Sequence, residues 1–253
     1  MSRLIAVTGK GGVGKTTVSA VVARQLIANG AGPVLAIDAD PNACLDAALG
    51  VEAVRTVGGA REDVRTEGEA AAKSGVSKQE LLRLKIAESL VESENFDLIS
   101  MGRPEGAGCY CYANNVLKSV IAEISGEYPH VVLDNEAGLE NLSRRIVSDV
   151  DVLAIVSDAS ASGLKTLSRL HALAVEMGVK YRDLVIIVNR LRGLPPDEIE
   201  NIRKKTGASE VVLLGDDAEI AEAAESGRDV FCVPEENAFV KTINGWVKGY
   251  LAR

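Results

Sequence analysis

The sequence predicts an α/β fold in which a doubly wound, mostly parallel sheet is covered by helices on both faces. Short runs of Val, Ile and Leu recur along the chain and alternate with segments of helical periodicity. Such nearly continuous apolar strands are typical of a parallel sheet that is buried on both faces. A glycine-rich segment follows the first run, at residues 4–8, and leads into a helical segment. This strand, loop and helix arrangement supports the same fold class.

The first half of the chain begins with a β-α-β unit, in which a glycine-rich turn at 29–33 ends the first helix. Hydrophobic periodicity predicts strands at 4–8, 34–37 and 97–101 and helices at 17–28 and 78–92. Residues 52–77 have low hydrophobicity and are rich in Arg, Glu, Gly and Ala. For this segment the sequence predicts only a loop with a broken helix.

The second half repeats the alternation of strands and helices. Strands are predicted at 130–133, 152–156, 184–188 and 211–214, and helices at about 139–148, 163–177, 196–206 and 217–226. Apolar residues from Phe239 to Leu251 recur at helical spacing, which predicts a terminal helix docked on the sheet; attachment to a membrane surface is the alternative. No stretch has the composition of a linker, so we expect residues 1–253 to form one domain.

Composition excludes some classes of function. The 253-residue chain has a formal net charge of −8, whereas binding to nucleic acid phosphates needs a basic surface. No apolar run approaches the roughly 18 residues of a membrane span, and the first strand starts too close to Met1 for a cleavable signal. We therefore expect a cytoplasmic protein with no nucleic acid partner and no stable membrane insertion.

The glycine-rich loop matches the phosphate-binding pattern G-x-x-x-x-G-K-[ST]. We expect its backbone N–H groups and the N-terminus of the next helix to bind phosphates, Lys15 to reach the β- and γ-phosphates, and the Thr16 hydroxyl to bind Mg²⁺. The alternative is a glycine-rich turn that matches the pattern by chance. The pattern predicts a P-loop NTPase. The predicted nucleotide-binding residues of this loop are Gly9, Lys10, Gly11, Gly12, Val13, Gly14, Lys15, Thr16 and Thr17.

Carboxylates follow two predicted strands, where ligands bind in open α/β sheets. After the second strand, Asp40 is predicted to orient the attacking water and Asp38 to contact a water molecule on Mg²⁺. After the strand at 130–133, Asp134 is predicted to hold Mg²⁺ through water, and the Gly138 N–H to sense the γ-phosphate. The alternative is that these carboxylates cap helices or form turns.

The residues that contact the base are less well defined by the sequence. Asn189 and Arg190 follow a buried strand late in the sheet, so Asn189 is a candidate to pair with adenine. A turn-forming Asn at a strand end is the alternative. Pro234 and Glu235 are candidates for the rim of the same pocket.

Together, the loop at 9–17, the Asp38-x-Asp40-Pro41 segment and the pair Asp134 and Gly138 resemble the deviant Walker-A ATPases, which include the cell-division and chromosome-partition ATPases and the nitrogenase iron protein. The resemblance implies ATP-dependent dimerisation. It also implies a catalytic role for Lys10, which would reach the phosphates of the partner subunit, alongside Lys15 and Asp40. Without the resemblance, Lys10 would be interpreted as an exposed lysine.

Among the four cysteines, only Cys109 and Cys111 are clustered. A tetrahedral thiolate site needs four ligands, so a homodimer that brings two Cys-x-Cys segments together would complete one. An inert turn or a redox pair is the alternative. Four thiolates suit Zn²⁺, whereas Ni²⁺ prefers a square-planar site. Cys44 and Cys232 are predicted to be buried apolar residues, and His130 and His171, the two histidines, to be structural.

The run RPEGAGCYCYAN at 103–114, with DNEAG at 134–138, resembles the CooC-type ATPases that assist nickel insertion into carbon monoxide dehydrogenase. The resemblance implies a nucleotide- and metal-dependent homodimer in which Cys109 and Cys111 bind Zn²⁺ or Ni²⁺ between the subunits. Its implied client is the apo-dehydrogenase. Ala107 departs from the family pattern, which often has proline there. A positioning or partition ATPase and an iron–sulfur ATPase like the nitrogenase iron protein are the alternatives, although Cys111 has no counterpart in the iron protein.

Overall fold

The computed structural model describes residues 2–103, 118, 121, 124–138, 149–193 and 196–253. Its strands are β1 (Arg3–Gly9), β2 (Val34–Asp38), β3 (Val91–Glu92), β4 (Phe96–Ser100), β5 (His130–Asp134), β6 (Asp149–Asp158), β7 (Lys180–Leu191) and β8 (Glu210–Gly215). Its helices in the described ranges are α1 (Lys15–Ala28), α2 (Leu45–Ala48), α3 (Val57–Lys73), α4 (Lys78–Ala87), α5 (Ala161–Glu176), α6 (Pro196–Thr206), α7 (Ala218–Ser226) and α8 (Ala238–Leu251). Short 3₁₀ helices cover Ser125–Glu127 and Val230–Cys232.

In the described ranges, the strands form one eight-stranded sheet in the order β3-β4-β2-β5-β1-β6-β7-β8. The neighbouring strands run parallel, except that β3 is antiparallel to β4. Ala6 in the central strand lies opposite Leu133 of β5 and Leu153 of β6. This arrangement confirms the predicted doubly wound, mostly parallel sheet.

Each face of the sheet has its own core, because side chains of a strand alternate between the two faces. Ile5 and Val7 pack on one face with α1 and α8. Ala6 packs on the other face with residues of α3 and α5, among them Val57 and Leu167. Helices therefore cover both faces, which explains why the central strands are almost entirely apolar.

The C-terminal helix α8 docks on the face of the sheet that carries α1, as predicted. Its buried residues are Phe239, Val240, Ile243, Trp246, Val247 and Tyr250. The helix begins after Asn237, whose side-chain oxygen accepts hydrogen bonds from the N–H groups of Phe239 and Val240 at 2.9 and 3.2 Å. Among the described residues, no helix is both long and apolar enough to cross a membrane.

Three predictions from the sequence were wrong. Within residues 52–77, the chain forms the 17-residue helix α3, which begins after Thr56. The helix predicted at 78–92 ends at Ala87, and Val91 pairs with Leu98 in the short edge strand β3. Cys44 and Cys232 are exposed rather than buried. The helix predicted at 139–148 lies outside the described residues.

Candidate nucleotide-binding site

The loop between β1 and α1 has the tight backbone path that its glycines allow. Gly14 has a φ of +91°, and a Cβ at this position would lie 2.6 Å from Nδ2 of Asn189. A Cβ at Gly9 would lie 2.2 Å from the carbonyl oxygen of Val156. Since α1 begins directly after this loop, at Lys15, the positive end of the helix dipole adjoins the loop. The geometry therefore suits an anion such as a phosphate group.

Thr16 and Asp134, both predicted to bind Mg²⁺, are in direct contact. The Thr16 hydroxyl donates to Oδ2 of Asp134 at 2.6 Å, and the Ser19 hydroxyl donates to Oδ1 at 3.1 Å. Asp134 is buried, and this burial, with a smaller contribution from Asp38, raises its pKa to about 7. A buried carboxylate beside a hydroxyl is a donor set that suits a hard cation such as Mg²⁺.

Asp38 lies next to Asp134, because β2 and β5 are neighbours and the two residues are opposite each other in register. Its carboxylate accepts hydrogen bonds from the backbone N–H groups of Asp40, Cys44 and Leu45 at 3.0, 2.8 and 2.8 Å. Burial raises the pKa of Asp38 to about 6, although these hydrogen bonds oppose the shift. The two predicted carboxylates therefore form a buried pair at the carboxyl edge of the sheet.

Lys15 extends along the loop and is buried, and its ammonium group donates to the carbonyl oxygen of Lys10 at 3.4 Å. Lys10 itself is exposed, and its ammonium group donates to the Ser162 hydroxyl at 3.3 Å. Nearby, the pKa of Asp158 is lowered mainly by its hydrogen bond with Ser160, and the charge of Lys10 adds to this effect. The two lysines of the loop thus differ: Lys15 faces the enclosed loop, and Lys10 lies on the surface.

Asp40 and Gly138 adjoin the same edge of the sheet. Oδ1 of Asp40 accepts hydrogen bonds from the backbone N–H and the side-chain amide of Asn42, at 2.9 and 3.0 Å. The Gly138 N–H donates to the Gly9 carbonyl oxygen at 2.9 Å. Contact between Gly138 and a γ-phosphate would require that hydrogen bond to break, so the sensing role of Gly138 stays a prediction.

Asn189 supports the phosphate loop. Its side chain is buried, Nδ2 donates to the Val13 carbonyl oxygen at 2.8 Å, and Oδ1 accepts from the Arg190 N–H at 2.8 Å. Arg190 has a left-handed backbone conformation, with a φ of +53°. Both residues therefore adjoin the loop, and their predicted contact with the base stays a prediction.

Glu235 contacts the middle of α1 instead of the start of that helix. Its carboxylate accepts from Nε of Arg24 at 3.1 Å and from Nε2 of Gln25 at 3.1 Å. Pro234 next to it is exposed. These contacts fasten the chain before α8 to α1, and the predicted place of both residues at the rim of the base pocket stays a prediction.

A cavity of about 340 Å³ opens beside Thr16 and Thr17. Its remaining walls come from α2 and the chain just before it and from α7 and the chain just after it, and include Cys44, Ala47, Ile220, Ala223 and Val230. Cavities of this size and mainly apolar lining hold small ligands. Sequence reasoning missed these residues, because small apolar side chains on two separate helices carry no motif.

Cys109 and Cys111 lie outside the described residues. Within the described part of the chain, no group of three or more His, Cys, Asp and Glu side chains is arranged to hold a metal ion. His130 and His171 each approach a tyrosine hydroxyl, at 3.1 Å from Tyr250 and 3.3 Å from Tyr181. These contacts agree with the structural roles predicted for both histidines.

Proteins of similar sequence include an ATP-binding protein, in agreement with a nucleotide-binding site at the loop between β1 and α1. An uncharacterized ATP-binding protein of Methanocaldococcus jannaschii is 41% identical over 241 residues, which are 95% of each chain. The carbon monoxide dehydrogenase accessory protein CooC of Rhodospirillum rubrum is 34% identical over 187 residues, which are 70% of each chain. The cell division ATPase MinD of Pyrococcus furiosus shares the fold, with a TM-score of 0.72 at 22% identity, over 100% of this chain and 99% of MinD.

The septum site-determining protein MinD of Pyrococcus horikoshii, solved in complex with Mg-ADP, has a TM-score of 0.71 at 22% identity. That alignment covers 100% of this chain and 98% of the MinD chain. A family model described as the CobQ/CobB/MinD/ParA nucleotide binding domain matches residues 4–230. The chain therefore belongs to the CobQ/CobB/MinD/ParA family and is a P-loop ATPase.

Proposed function

We propose that the protein is an ATP-hydrolysing metallochaperone that assists nickel insertion into carbon monoxide dehydrogenase. The observation that carries this proposal is the 34% identity with a carbon monoxide dehydrogenase accessory protein, combined with the Cys-x-Cys segment at 109–111. Two thiolates per chain are half of a tetrahedral site, so the working form is a homodimer whose subunits share one Zn²⁺ or Ni²⁺.

Within this proposal, Thr16 would hold Mg²⁺ together with the nearby Asp38 and Asp134, and the bound ion would neutralise charge on the β- and γ-phosphates. The hydrogen bond between Thr16 and Asp134 supports this position, because it brings together two oxygen atoms of the kind that bind Mg²⁺. Lys15 holds the phosphates from within the loop, and Asp40 orients the attacking water. Lys10 has its ammonium group at the surface, which suits contact with a nucleotide bound by the partner subunit.

Mg·ATP and the thiolate-bound metal both favour the closed dimer, and hydrolysis of ATP reopens it. Each ligand shifts this equilibrium only by the difference between its affinities for the two states. The burial of the apolar face of α8 against α1 and the sheet supports this proposal over a positioning ATPase that attaches through this face to a membrane.

The test compares two pairs of cysteine substitutions. We expect the double variant Cys109→Ser/Cys111→Ser to lose the bound Zn²⁺ or Ni²⁺, which wild-type protein binds at about one ion per dimer if four thiolates form the site. The matched control is Cys44→Ser/Cys232→Ser, which removes the same number of thiols from exposed positions elsewhere and should retain the metal. Metal analysis after gel filtration with and without ATP gives both the stoichiometry and the oligomeric state.

Unchanged metal content in the Cys109→Ser/Cys111→Ser variant would rule out a metal site at these two cysteines. A second measurement addresses the client: wild-type protein with ATP and Ni²⁺ should increase the activity recovered from apo carbon monoxide dehydrogenase, and the same cysteine variant should not. Iron with a visible absorption band after anaerobic purification would instead support the iron–sulfur alternative.

A further inference from the structure

Three neighbouring strands end in polar residues that lie in one row on the same face of the sheet. Ser100 at the end of β4 lies opposite Asp38 of β2, which in turn lies opposite Asp134 of β5. The residues two positions before them all belong to the core on the face that carries α1: Leu98, Ala36 and Val132. Because residues two positions apart in a strand share a face, the three polar side chains also lie on the α1 face. Each of the three residues is only 1% exposed.

The Ser100 hydroxyl has no hydrogen-bond partner among the described residues. At the other end of the row, the hydroxyls of Thr16 and Ser19 both donate to Asp134. A serine hydroxyl can donate one hydrogen bond, and burial without a partner costs free energy. Neighbouring strands are about 4.8 Å apart, so the hydroxyl can reach the Asp38 carboxylate if that carboxylate turns. An unpaired hydroxyl beside a carboxylate indicates that the two groups bond in another state of the protein.

In the described part of the chain, the hydrogen bonds to the Asp38 carboxylate all come from the loop that follows β2. The Asp40 N–H donates to Oδ1, and the N–H groups of Cys44 and Leu45 donate to Oδ2. A carboxylate has about four acceptor positions, so these bonds use most of its capacity and set its orientation. For Ser100 to donate to Asp38, the carboxylate must turn and release some of these N–H groups.

The loop that Asp38 holds also carries Asp40, the predicted catalytic carboxylate. Within this loop, Ala43 has a left-handed backbone conformation with a φ of +47°, which an alanine rarely adopts. Strained residues of this kind persist only where their surroundings hold them, and they are common in switch regions. A hydrogen bond from Nη2 of Arg103 to the side-chain oxygen of Asn42, at 2.5 Å, also holds the loop, but it lies at the surface. Release of the loop by Asp38 would therefore relieve backbone strain and allow Asp40 to move.

Ser100, by contrast, lies on a part of the chain that is fixed on both sides. The N–H of the next residue, Met101, donates to the carbonyl oxygen of Asp38 at 2.8 Å. The carbonyl oxygen of Met101 accepts from the Gly58 N–H, at the start of α3, at 2.9 Å. A hydroxyl on this backbone keeps its position when the loop after β2 moves. It is thus suited to replace the loop as a donor to Asp38.

We propose that Ser100 is a positioning residue that donates a hydrogen bond to Asp38 when Mg·ATP is bound. In that state the Asp38 carboxylate turns away from the N–H groups of the loop, the loop carries Asp40 to the attacking water, and Ser100 keeps Asp38 aligned. A hydrogen bond to a charged carboxylate is among the stronger ones in proteins. This inference rests on the proposed Mg²⁺ site, but it does not depend on a metal ion at Cys109 and Cys111.

The first test is the rate of ATP hydrolysis by Ser100→Ala. We expect kcat to fall about 10- to 100-fold, the effect of losing one hydrogen bond to a charged group, and KM for ATP to stay within about twofold. Ser89→Ala is the matched control, because Ser89 is also 1% exposed but its hydroxyl donates to the Ile86 carbonyl oxygen at 2.7 Å, near the end of α4. This control should keep the wild-type kcat. Wild-type kcat in Ser100→Ala would overturn the inference.

Thermal melts give a readout that does not depend on catalysis. Without nucleotide, Ser100→Ala should unfold at the wild-type temperature or above it, because the hydroxyl that it removes has no partner. Ser89→Ala should unfold about 2–4 °C lower, because it loses a hydrogen bond of the folded protein. With Mg²⁺ and a nonhydrolysable ATP analogue, the thermal midpoint should rise less in Ser100→Ala than in wild-type protein or Ser89→Ala. Equal rises in all three proteins would contradict a bond that forms only in the nucleotide-bound state.

Hydrogen exchange tests whether the loop releases Asp38. Mg²⁺ with the analogue should increase amide exchange in the peptide containing residues 40–45 of wild-type protein, because the N–H groups of Cys44 and Leu45 lose their acceptor. The increase should be smaller in Ser100→Ala, in which no hydroxyl replaces them. Unchanged exchange in wild-type protein would overturn the inference.

Thr16→Ala separates this inference from the Mg²⁺ site on which it rests. We expect Thr16→Ala to lose most Mg²⁺-dependent ATP hydrolysis, and wild-type activity in this variant would contradict the proposed Mg²⁺ site and the inference together. If Thr16→Ala were impaired but Ser100→Ala had wild-type kcat, the inference alone would fail. The metal content of the Cys109→Ser/Cys111→Ser variant has no bearing on either outcome.

Discussion

The two edges of the sheet use buried polar groups in opposite ways. At the carboxyl edge, Asp38 and Asp134 are like charges placed side by side, and burial raises the pKa of both. At the amino edge, the guanidinium group of Arg3 stacks on the Tyr250 ring at 3.8 Å and donates to the Tyr250 carbonyl oxygen at 2.7 Å. His130 contacts the hydroxyl of the same tyrosine.

This difference indicates that the polar groups at the carboxyl edge serve function and those at the amino edge serve stability. Two buried carboxylates cost folding free energy when both are charged, and a bound cation offsets that cost. The contacts around Tyr250 join complementary groups and hold α8 on the sheet. We therefore expect substitutions at the carboxyl edge to reduce activity with little loss of stability, and substitutions in or beneath α8 to reduce stability with little change in activity.

Trp246→Ala should have the largest effect on stability. Trp246 is only 4% exposed and belongs to the core between α8, α1 and the sheet. Replacing a buried tryptophan by alanine leaves a cavity and lowers the free energy of unfolding by about 3–5 kcal/mol. Urea denaturation measures this loss. The ATPase rate per folded molecule should stay at the wild-type level.

Lys248→Ala is the matched control, because Lys248 is exposed on the same helix. Exposed substitutions of this kind change stability by less than about 0.5 kcal/mol. A large fall in the ATPase rate of folded Trp246→Ala protein would contradict the separation of the two edges.

Lys15→Ala should do the reverse of Trp246→Ala: it should lower the ATPase activity and leave the stability nearly unchanged. If Lys15 stabilises the transferring phosphate as proposed, loss of its positive charge is expected to reduce kcat by about 10²- to 10³-fold. Its hydrogen bond within the described residues, to the Lys10 carbonyl oxygen, is long at 3.4 Å, so the thermal midpoint should change little. ATPase assays and a thermal melt without nucleotide measure the two quantities. Lys241→Ala, which removes an exposed lysine from α8, should leave both unchanged.

The sequence predicted the sheet well because its strands are apolar on both faces, but it did not predict α3. That helix contains Gly58, Gly59 and Gly68, which lower helix propensity, and its apolar residues are only alanine and valine. Its N-terminus is instead stabilised by the Thr56 side chain, which accepts from the Gly59 N–H at 3.1 Å. Helix α4 was predicted too long because Val91, which continues its apolar pattern, pairs with β4.

The candidate site also has features that the sequence predicted and features that it did not. Local spacing predicted the phosphate loop and the aspartates that the structure places beside it, because these residues belong to short motifs. The hydrogen bonds from Asn189 to Val13 and from Arg103 to Asn42 join residues that are 176 and 61 positions apart. No local pattern specifies such pairs, since they depend on how distant strands are ordered in the sheet. The exposure of Cys44 likewise depends on the packing of α2 beside the cavity.

The smallest expected effect is on the pH dependence of stability at the amino edge. Burial, with a smaller contribution from the charge of Arg3, lowers the pKa of His130, whereas Asp151 opposes the shift. Below the ordinary value of 6.5 the unfolded chain therefore binds a proton that the folded protein does not, so stability falls as the pH drops from about 7 to 5. The slope from this group is at most about 1.4 kcal/mol per pH unit.

His130→Asn should flatten this curve, because asparagine does not titrate and can still form a hydrogen bond with the Tyr250 hydroxyl. His171→Asn is the matched control: burial alone lowers the pKa of His171, which is only half-buried, so its removal should change the slope less. Urea denaturation at several pH values between 5 and 8 measures both variants. If wild-type protein and His130→Asn gave parallel curves, the amino edge would not contribute a titrating group, and its stabilising contacts would be independent of pH across this range.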